Sequence, residues 1–565
     1  GARLEAAFGL PGGEALRQHL DAMSNEQYQS LFGLPTEEIR QRFLSGADAA
    51  VKRLVGDVAD ADLRGLLLNL GGHDLGMVLD CYSRAEEVGD RPSVVFAYTV
   101  KGWGLPMAGD PLNHSALLSP SQIDAFRDEL GLTLESEWDL LEPSSPEGQL
   151  CAAAAERTRR PAPASAPGRP QVPSSSGLSV RGATSTQEAF GRILVNLARH
   201  EELARRIVTT SPDVSVSTNL GGWVNKFGVF HHYEEADYGG SERLLRWQPG
   251  PRGRHIELGI SEMNLFLLLG QLGLSQEMCG ELLFPIGTVY DPFVLRGLDA
   301  FIYSVYSGSK FIVVGTPSGV TLSYEGGAHQ SIVTPSVGLE LPGVTYAEPA
   351  FALALDWLLC DGLERLGDRE RGESLYLRLT TRPIDQAPFE EARARIGEEE
   401  LRRQVLRGGY RLVDGAAGPG DGPGVQIVCS GAVVPEALEA TRALAEEGVV
   451  ANVIDVTSAD RLYRDWTGGL KAAIRSGCHP EESHHLAALL PPAERSWPIV
   501  TVHDSAPHAM AWFGSVFGAP AVGLGVETFG ESGSISDLYH AHALCAGGIT
   551  NAALVALGRA RRNAR

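Results

Sequence analysis

Paired cysteines are missing from this chain. Its seven cysteines stand far apart in 565 residues with no C-x-x-C, which excludes a disulfide framework and a zinc ribbon. A reducing cytosol or an organelle matrix fits that usage. Long apolar runs are also absent: none approaches the roughly twenty residues that span a bilayer, so a soluble chain without a membrane partner is expected. Positive charge is scarce. Lys and Arg number 48 against 70 Asp and Glu, a net charge of −22, and such a field repels phosphate backbones and anionic lipid. Nucleic acid is therefore not an expected partner. No solenoid repeat and no coiled-coil heptad is present. The chain starts with Gly1 rather than Met, read as a processed, tagged or truncated terminus with any targeting segment out of sight. Cytoplasmic location is expected, with an organelle matrix left open.

What is present is apolar surface for several cores. At 60.4 kDa the length calls for about three to four domains. Residues 142–178 are rich in Pro, Ala and Ser and read as an interdomain linker. A second break falls between 385 and 407, before a Gly/Pro-rich turn. Short β-branched and aromatic runs at 93–100, 282–289, 311–315, 374–379, 425–429, 450–456 and 498–503 read as strands. The stretches 436–447 and 350–363 read as helices, with Pro349 in the first turn of the second. Strands alternating with helices give an α/β fold with mainly parallel sheets.

Glu262 stands out within Gly253-Arg254-His255-Ile256-Glu257-Leu258-Gly259-Ile260-Ser261-Glu262. It falls where a strand hands over to a long apolar helix, and ligands of parallel sheets collect at the carboxyl ends of strands. Taken alone it equals a first-turn carboxylate favoured by the helix dipole. His329, in Glu325-Gly326-Gly327-Ala328-His329-Gln330-Ser331, adds a second titratable group after the run 310–315. Further motifs are Gly71-Gly72-His73-Asp74, Lys101-Gly102-Trp103-Gly104, Asn113-His114-Ser115, Ser211-Pro212-Asp213 with Asn219, Tyr290-Asp291-Pro292-Phe293, and Phe529-Gly530-Glu531-Ser532-Gly533.

In that order the motifs resemble thiamine-diphosphate enzymes of the transketolase and 2-oxo acid dehydrogenase family, closest to the homodimeric decarboxylating component of pyruvate dehydrogenase. The resemblance implies a thiamine-diphosphate-binding fold. Residues 1–141 would be the carboxy-terminal part of the diphosphate-binding domain, 179–390 the pyrimidine-binding domain, and 391–565 the transketolase carboxy-terminal domain. It implies thiamine diphosphate and Mg2+ as cofactors. Glu262 would be the acid at the pyrimidine ring nitrogen, where burial raises a carboxyl so that it can donate. His329, His114 and His73 would carry protons near neutrality. Asp213, Phe284, Tyr290 and Phe293 would bind cofactor, and Arg382 and Asn219 substrate.

Two sets of residues imitate sites without their context. Gly420-Asp421-Gly422 with Asn452 resembles the family's metal–diphosphate spacing, but enters a strand instead of leaving one. Cys478-His479 with His484-His485 lacks tetrahedral-site spacing. The metal-binding segment is thus expected outside this chain, as in a truncated fragment or a split enzyme. A homodimer or heteromer sharing the site is implied. Decarboxylation of pyruvate or a similar 2-oxo acid, with acyl transfer to a lipoyl group on an acyltransferase core, is the implied activity. Arg382 keeps transketolase-type transfer between sugar phosphates open. A non-catalytic paralogue or subunit is the reading of another class.

Overall fold

A computed structural model describes residues 1–159, 168–236, 245–417, 422–479 and 483–563. The chain divides into two compact units, Gly1–Arg160 and Pro161–Arg565.

The first unit is helical. Six short helices between Ala2 and Leu67 enclose Leu16, Ile39, Phe43, Val51, Val55, Leu63 and Leu67, all buried. Caps start two of them: the Asp48 carboxylate accepts from the Ala50 and Val51 amides, and Ser24 forms a capping box with Gln27. The strand expected at 93–100 does not form, and Val94, Phe96 and Tyr98 lie exposed. A single strand has no ladder to satisfy its amides, and no neighbour is supplied here by the described residues. Part of the expected linker is ordered as the helix Pro146–Thr158, capped by Ser145 and carrying a run of alanines.

In the second unit, eight parallel strands form one sheet in the order Pro249–Gly250, Val229–Phe230, His255–Glu257, Ile207–Ser211, Phe284–Val289, Ile312–Gly315, Ser374–Arg378, Val344–Ala347. Strands buried on both faces explain the near-continuous apolar runs. A second sheet of five strands places Gly409–Val413 antiparallel to Val450–Val456, followed by Gly424–Cys429, Ile499–Val502 and Ala521–Leu524 in parallel. The helix expected at 350–363 runs Ala352–Leu366, so Pro349 precedes its N-cap Phe351 instead of entering its first turn. Ile535–Arg562 is apolar and long enough to pass a length test for a membrane span. It divides into Ile535–Ala541 and Ala546–Asn563, and Ile549, Ala553 and Ala556 are buried in the core.

Candidate functional site

The carboxyl end of strand His255–Glu257 is organised by Glu257. Its Oε1 accepts the amides of Asp213, Leu258 and Gly259 at 2.7, 3.0 and 3.2 Å. Burial opposes ionisation of that carboxyl, but His255 and the Asp213 amide outweigh it and hold it below its ordinary range. The chain then turns through Ser261 into the helix Glu262–Gly273, with the Glu262 side chain at its first position. A Cβ at Gly297 would meet the Phe266 ring at 2.3 Å and the Glu262 carbonyl oxygen at 2.8 Å. Glycine there lets the 3-10 segment Asp291–Gly297 lie against the helix. The Arg296 Nη1 consequently donates to Glu262 Oε1 at 3.0 Å.

Aromatic rings extend this pair. The Arg296 guanidinium lies 3.9 Å over the Phe293 ring. Phe293 stacks with Tyr290 at 6.1 Å between centroids, and the His329 ring stands 5.4 Å from Phe293 and 6.1 Å from Tyr290. His329 ends the short turn Gly327–His329, and its Nδ1 is buried without a hydrogen-bond partner. The turn leans on the carboxy-terminal motif: a Cβ at Gly327 would strike the Gly530 carbonyl, and Gln330 Nε2 donates to the Glu531 carbonyl at 2.7 Å. Two motifs separated by some two hundred residues thus meet.

The other expected residues fall elsewhere. Phe284 is buried at the start of its strand, in register with Ile207, and belongs to the main core. Tyr290 follows the far end of that strand, about 20 Å away at strand rise, so Phe284 is not part of the cluster. Asp213 is exposed with φ +63 and is tied to Glu257 by its amide. Asn219 donates to the Gln187 carbonyl and lines a separate cavity of about 560 Å3 with Glu188 and Arg192. Arg382 gives its fork to Glu436, at 2.8 and 2.7 Å, which leaves no free fork for a phosphate.

In the first unit, His73 stacks on Trp103 at 4.7 Å, and its Nε2 accepts the Val100 amide at 2.8 Å. Accepting there leaves the ring proton on Nδ1, and burial pushes the imidazole below its ordinary value. The Lys101 ammonium donates to His114 Nδ1.

Asn452 is buried in its strand, donating to Gln426 and Glu494, while Gly420 and Asp421 lie outside the described residues. His485 is buried with Nε2 on the Gly409 carbonyl, apart from the exposed Cys478.

One part of the site has no signal in the local pattern. Arg378 is buried and donates to Asp291 Oδ2 at 3.0 Å, Glu348 Oε1, Ser331 Oγ at 3.2 Å and the Asp504 carbonyl at 2.9 Å. His503 Nε2 donates to the second Glu348 oxygen at 2.7 Å, and the Tyr376 hydroxyl donates to Asp291. Burial alone would raise the Glu348 carboxyl, but Arg378 and His503 hold it down to about 2. Burial pushes Asp504 up to about 6 against the pull of Arg378.

Residues 408–544 match the transketolase-like TK C-terminal domain. The pyruvate dehydrogenase E1 component of Corynebacterium glutamicum is 26% identical over 521 residues, 87% of this chain and 54% of that protein. Its counterpart in Escherichia coli K12 is 23% identical over 475 residues, 80% of this chain and 52% of that protein. The chain therefore spans about half the length of these curated relatives. Transketolase from Leishmania mexicana shares the fold, with a TM-score of 0.59 at 16% identity, covering 92% of this chain and 69% of that one. Fold and matches together define a transketolase-like α/β protein. Residues 408–544 thus form a transketolase-like carboxy-terminal domain, and the chain as a whole is similar to pyruvate dehydrogenase E1 components in sequence and to transketolases in fold.

Proposed function

We propose that this chain carries the pyrimidine-side half of a thiamine-diphosphate-dependent active site and decarboxylates pyruvate or a similar 2-oxo acid, passing the acyl unit to a lipoyl group on a partner core. The observation that carries the reading is the convergence of Glu262, Phe293, Tyr290 and His329 at the carboxyl end of one parallel sheet, with His329 Nδ1 buried and open. These residues fit the cofactor's chemistry: an acid for a ring nitrogen, aromatic faces for a flat ring, and an imidazole for a proton. When bound, thiamine diphosphate supplies a carbon nucleophile and an electron sink. Glu262 would hold the ring nitrogen of the bound cofactor, giving up Arg296 to do so. His329 would offer its buried Nδ1 toward the reacting group, and Phe293 and Tyr290 would line the ring faces.

The magnesium–diphosphate half is assigned to a segment outside this chain, in a cytoplasmic homodimer or heteromer. Exposed Met263, Leu267, Ile302, Tyr303 and Tyr306, on helices Glu262–Gly273 and Leu298–Tyr306, support a covering partner beside the site. Transketolase-type transfer is the weaker reading, because Arg382 is already engaged by Glu436.

Calorimetric titration with Mg2+ and thiamine diphosphate tests the first step. Heat only after an upstream diphosphate-binding fragment is added supports the proposal, and no heat in either case favours a non-catalytic subunit. Turnover of pyruvate with an artificial oxidant supports the substrate, whereas activity with ketose phosphates alone overturns it.

A further inference from the structure

We infer that Arg378 is a positioning residue that sets the Tyr290–Arg296 segment and the His329 loop in register with each other. Arg378 ends the strand Ser374–Arg378, and every partner of its side chain lies past the carboxyl end of another strand. Asp291 follows Phe284–Val289 and opens the segment that bears Phe293 and Arg296. Ser331 stands two residues beyond His329, Glu348 directly after Val344–Ala347, and Asp504 two residues after Ile499–Val502 of the second sheet. One planar guanidinium thus joins four segments that are remote in sequence.

A fork of fixed geometry serves this purpose better than a flexible ammonium. Backbone has also been shaped to admit it. A Cβ at Gly319, where φ is +63, would lie 2.5 Å from Asp504 Oδ2 and 2.8 Å from Arg378 Nη2. Ser331 Oγ receives both the Arg378 Nη2 and the Gly319 amide at 3.2 Å, so the loop behind His329 is fixed from two sides. Stability alone does not account for such a cluster, since buried ion pairs repay their desolvation poorly while fixing a unique arrangement. Burial of both ion pairs makes the cluster a frame for the half-exposed residues in front of it.

The inference deepens the proposed function and rests on it for its catalytic consequence. The test uses the full chain labelled with 13Cε1-histidine, with the His329 resonance assigned through His329→Gln. Ser331→Ala removes one arm of the frame without stranding a charge, and Arg378→Lys replaces the fork. In both variants the His329 resonance is expected to shift or broaden. Turnover by the assembled enzyme is expected to fall about 100-fold, as for a displacement of about 1 Å, with thiamine diphosphate affinity changed less than about threefold. A wild-type His329 resonance in both folded variants would overturn the inference. Should Arg378→Lys fail to fold, Ser331→Ala alone decides on the same criterion. Failure of the wild-type assembly to bind thiamine diphosphate would sink the proposed function, while the histidine resonance still decides the positioning role.

Discussion

Arg296 and Arg378 hold carboxylates at the same end of one sheet, yet the Arg296–Glu262 pair is open on the arginine side only, 56% against 11% exposed, while Arg378 is 1% exposed between Asp291 and Glu348. An exposed ion pair is worth at most about 1 kcal/mol. Breaking a buried one by removing a partner costs about 3–5 kcal/mol, because a charge is left without compensation. The Arg296 pair is therefore the easier of the two to open, and the Arg378 cluster the harder. The proposed function calls for both: a carboxylate that can change partners, on a frame that holds its place.

Removing the buried side chain should break this contrast most severely. Arg378→Met is expected to cost about 3–5 kcal/mol of stability, measured by urea unfolding with the wild-type slope as reference. A loss below about 1 kcal/mol would mean that the cluster is not the frame described. Glu262→Gln is expected to leave unfolding unchanged but reduce turnover about 100- to 10,000-fold. Wild-type turnover with normal cofactor binding would remove Glu262 from the chemistry.

Two buried carboxyls sharpen the comparison through pH. Burial pushes Asp455 up to about 7 despite a hydrogen bond from Tyr410 at 2.8 Å. A raised carboxyl contributes stability below its unfolded value and loses that contribution as pH rises through the folded one. Asp455→Asn should therefore flatten the decline in stability between about pH 4 and pH 7. Glu348 behaves oppositely. Held down to about 2, it contributes above the ordinary carboxyl range and loses that contribution as pH falls. Glu348→Gln should flatten the acid limb, and unfolding at a series of pH values reads both.

The half-exposed pair should respond least. Arg296→Ala is expected to cost about 1–2 kcal/mol of stability, because Glu262 is only 11% exposed and loses its cation. It should strengthen cofactor binding by up to about tenfold in the assembled enzyme, because Glu262 no longer has to be released. Weaker binding would show that Arg296 serves the ligand instead of competing with it.

Much of the second unit was legible because its strands are buried on both faces and read as apolar runs. Glu262 and His329 were singled out by their place after such runs, Tyr290 and Phe293 by the family resemblance, and the structure brings the four together. The helices of the first 67 residues were not, because segments of five to nine residues are too short to hold a helix without the packing of their neighbours. Phe284 was misplaced for a different reason: a strand brings only its carboxyl end to the site, and residue spacing does not say how long the strand will be.

The sequence by itself determined the alternation of strands and helices, the acidic surface, and the order of motifs that carries the family likeness. Those properties are local, summed over neighbours along the chain. Tertiary structure alone decided that Arg296 occupies Glu262, that the Phe529–Gly533 motif braces the His329 loop, and that Arg378 binds segments around 291, 331, 348 and 504. A buried guanidinium takes whatever acceptors the sheets bring to it, and which strand ends become neighbours is settled by the order of strands in space.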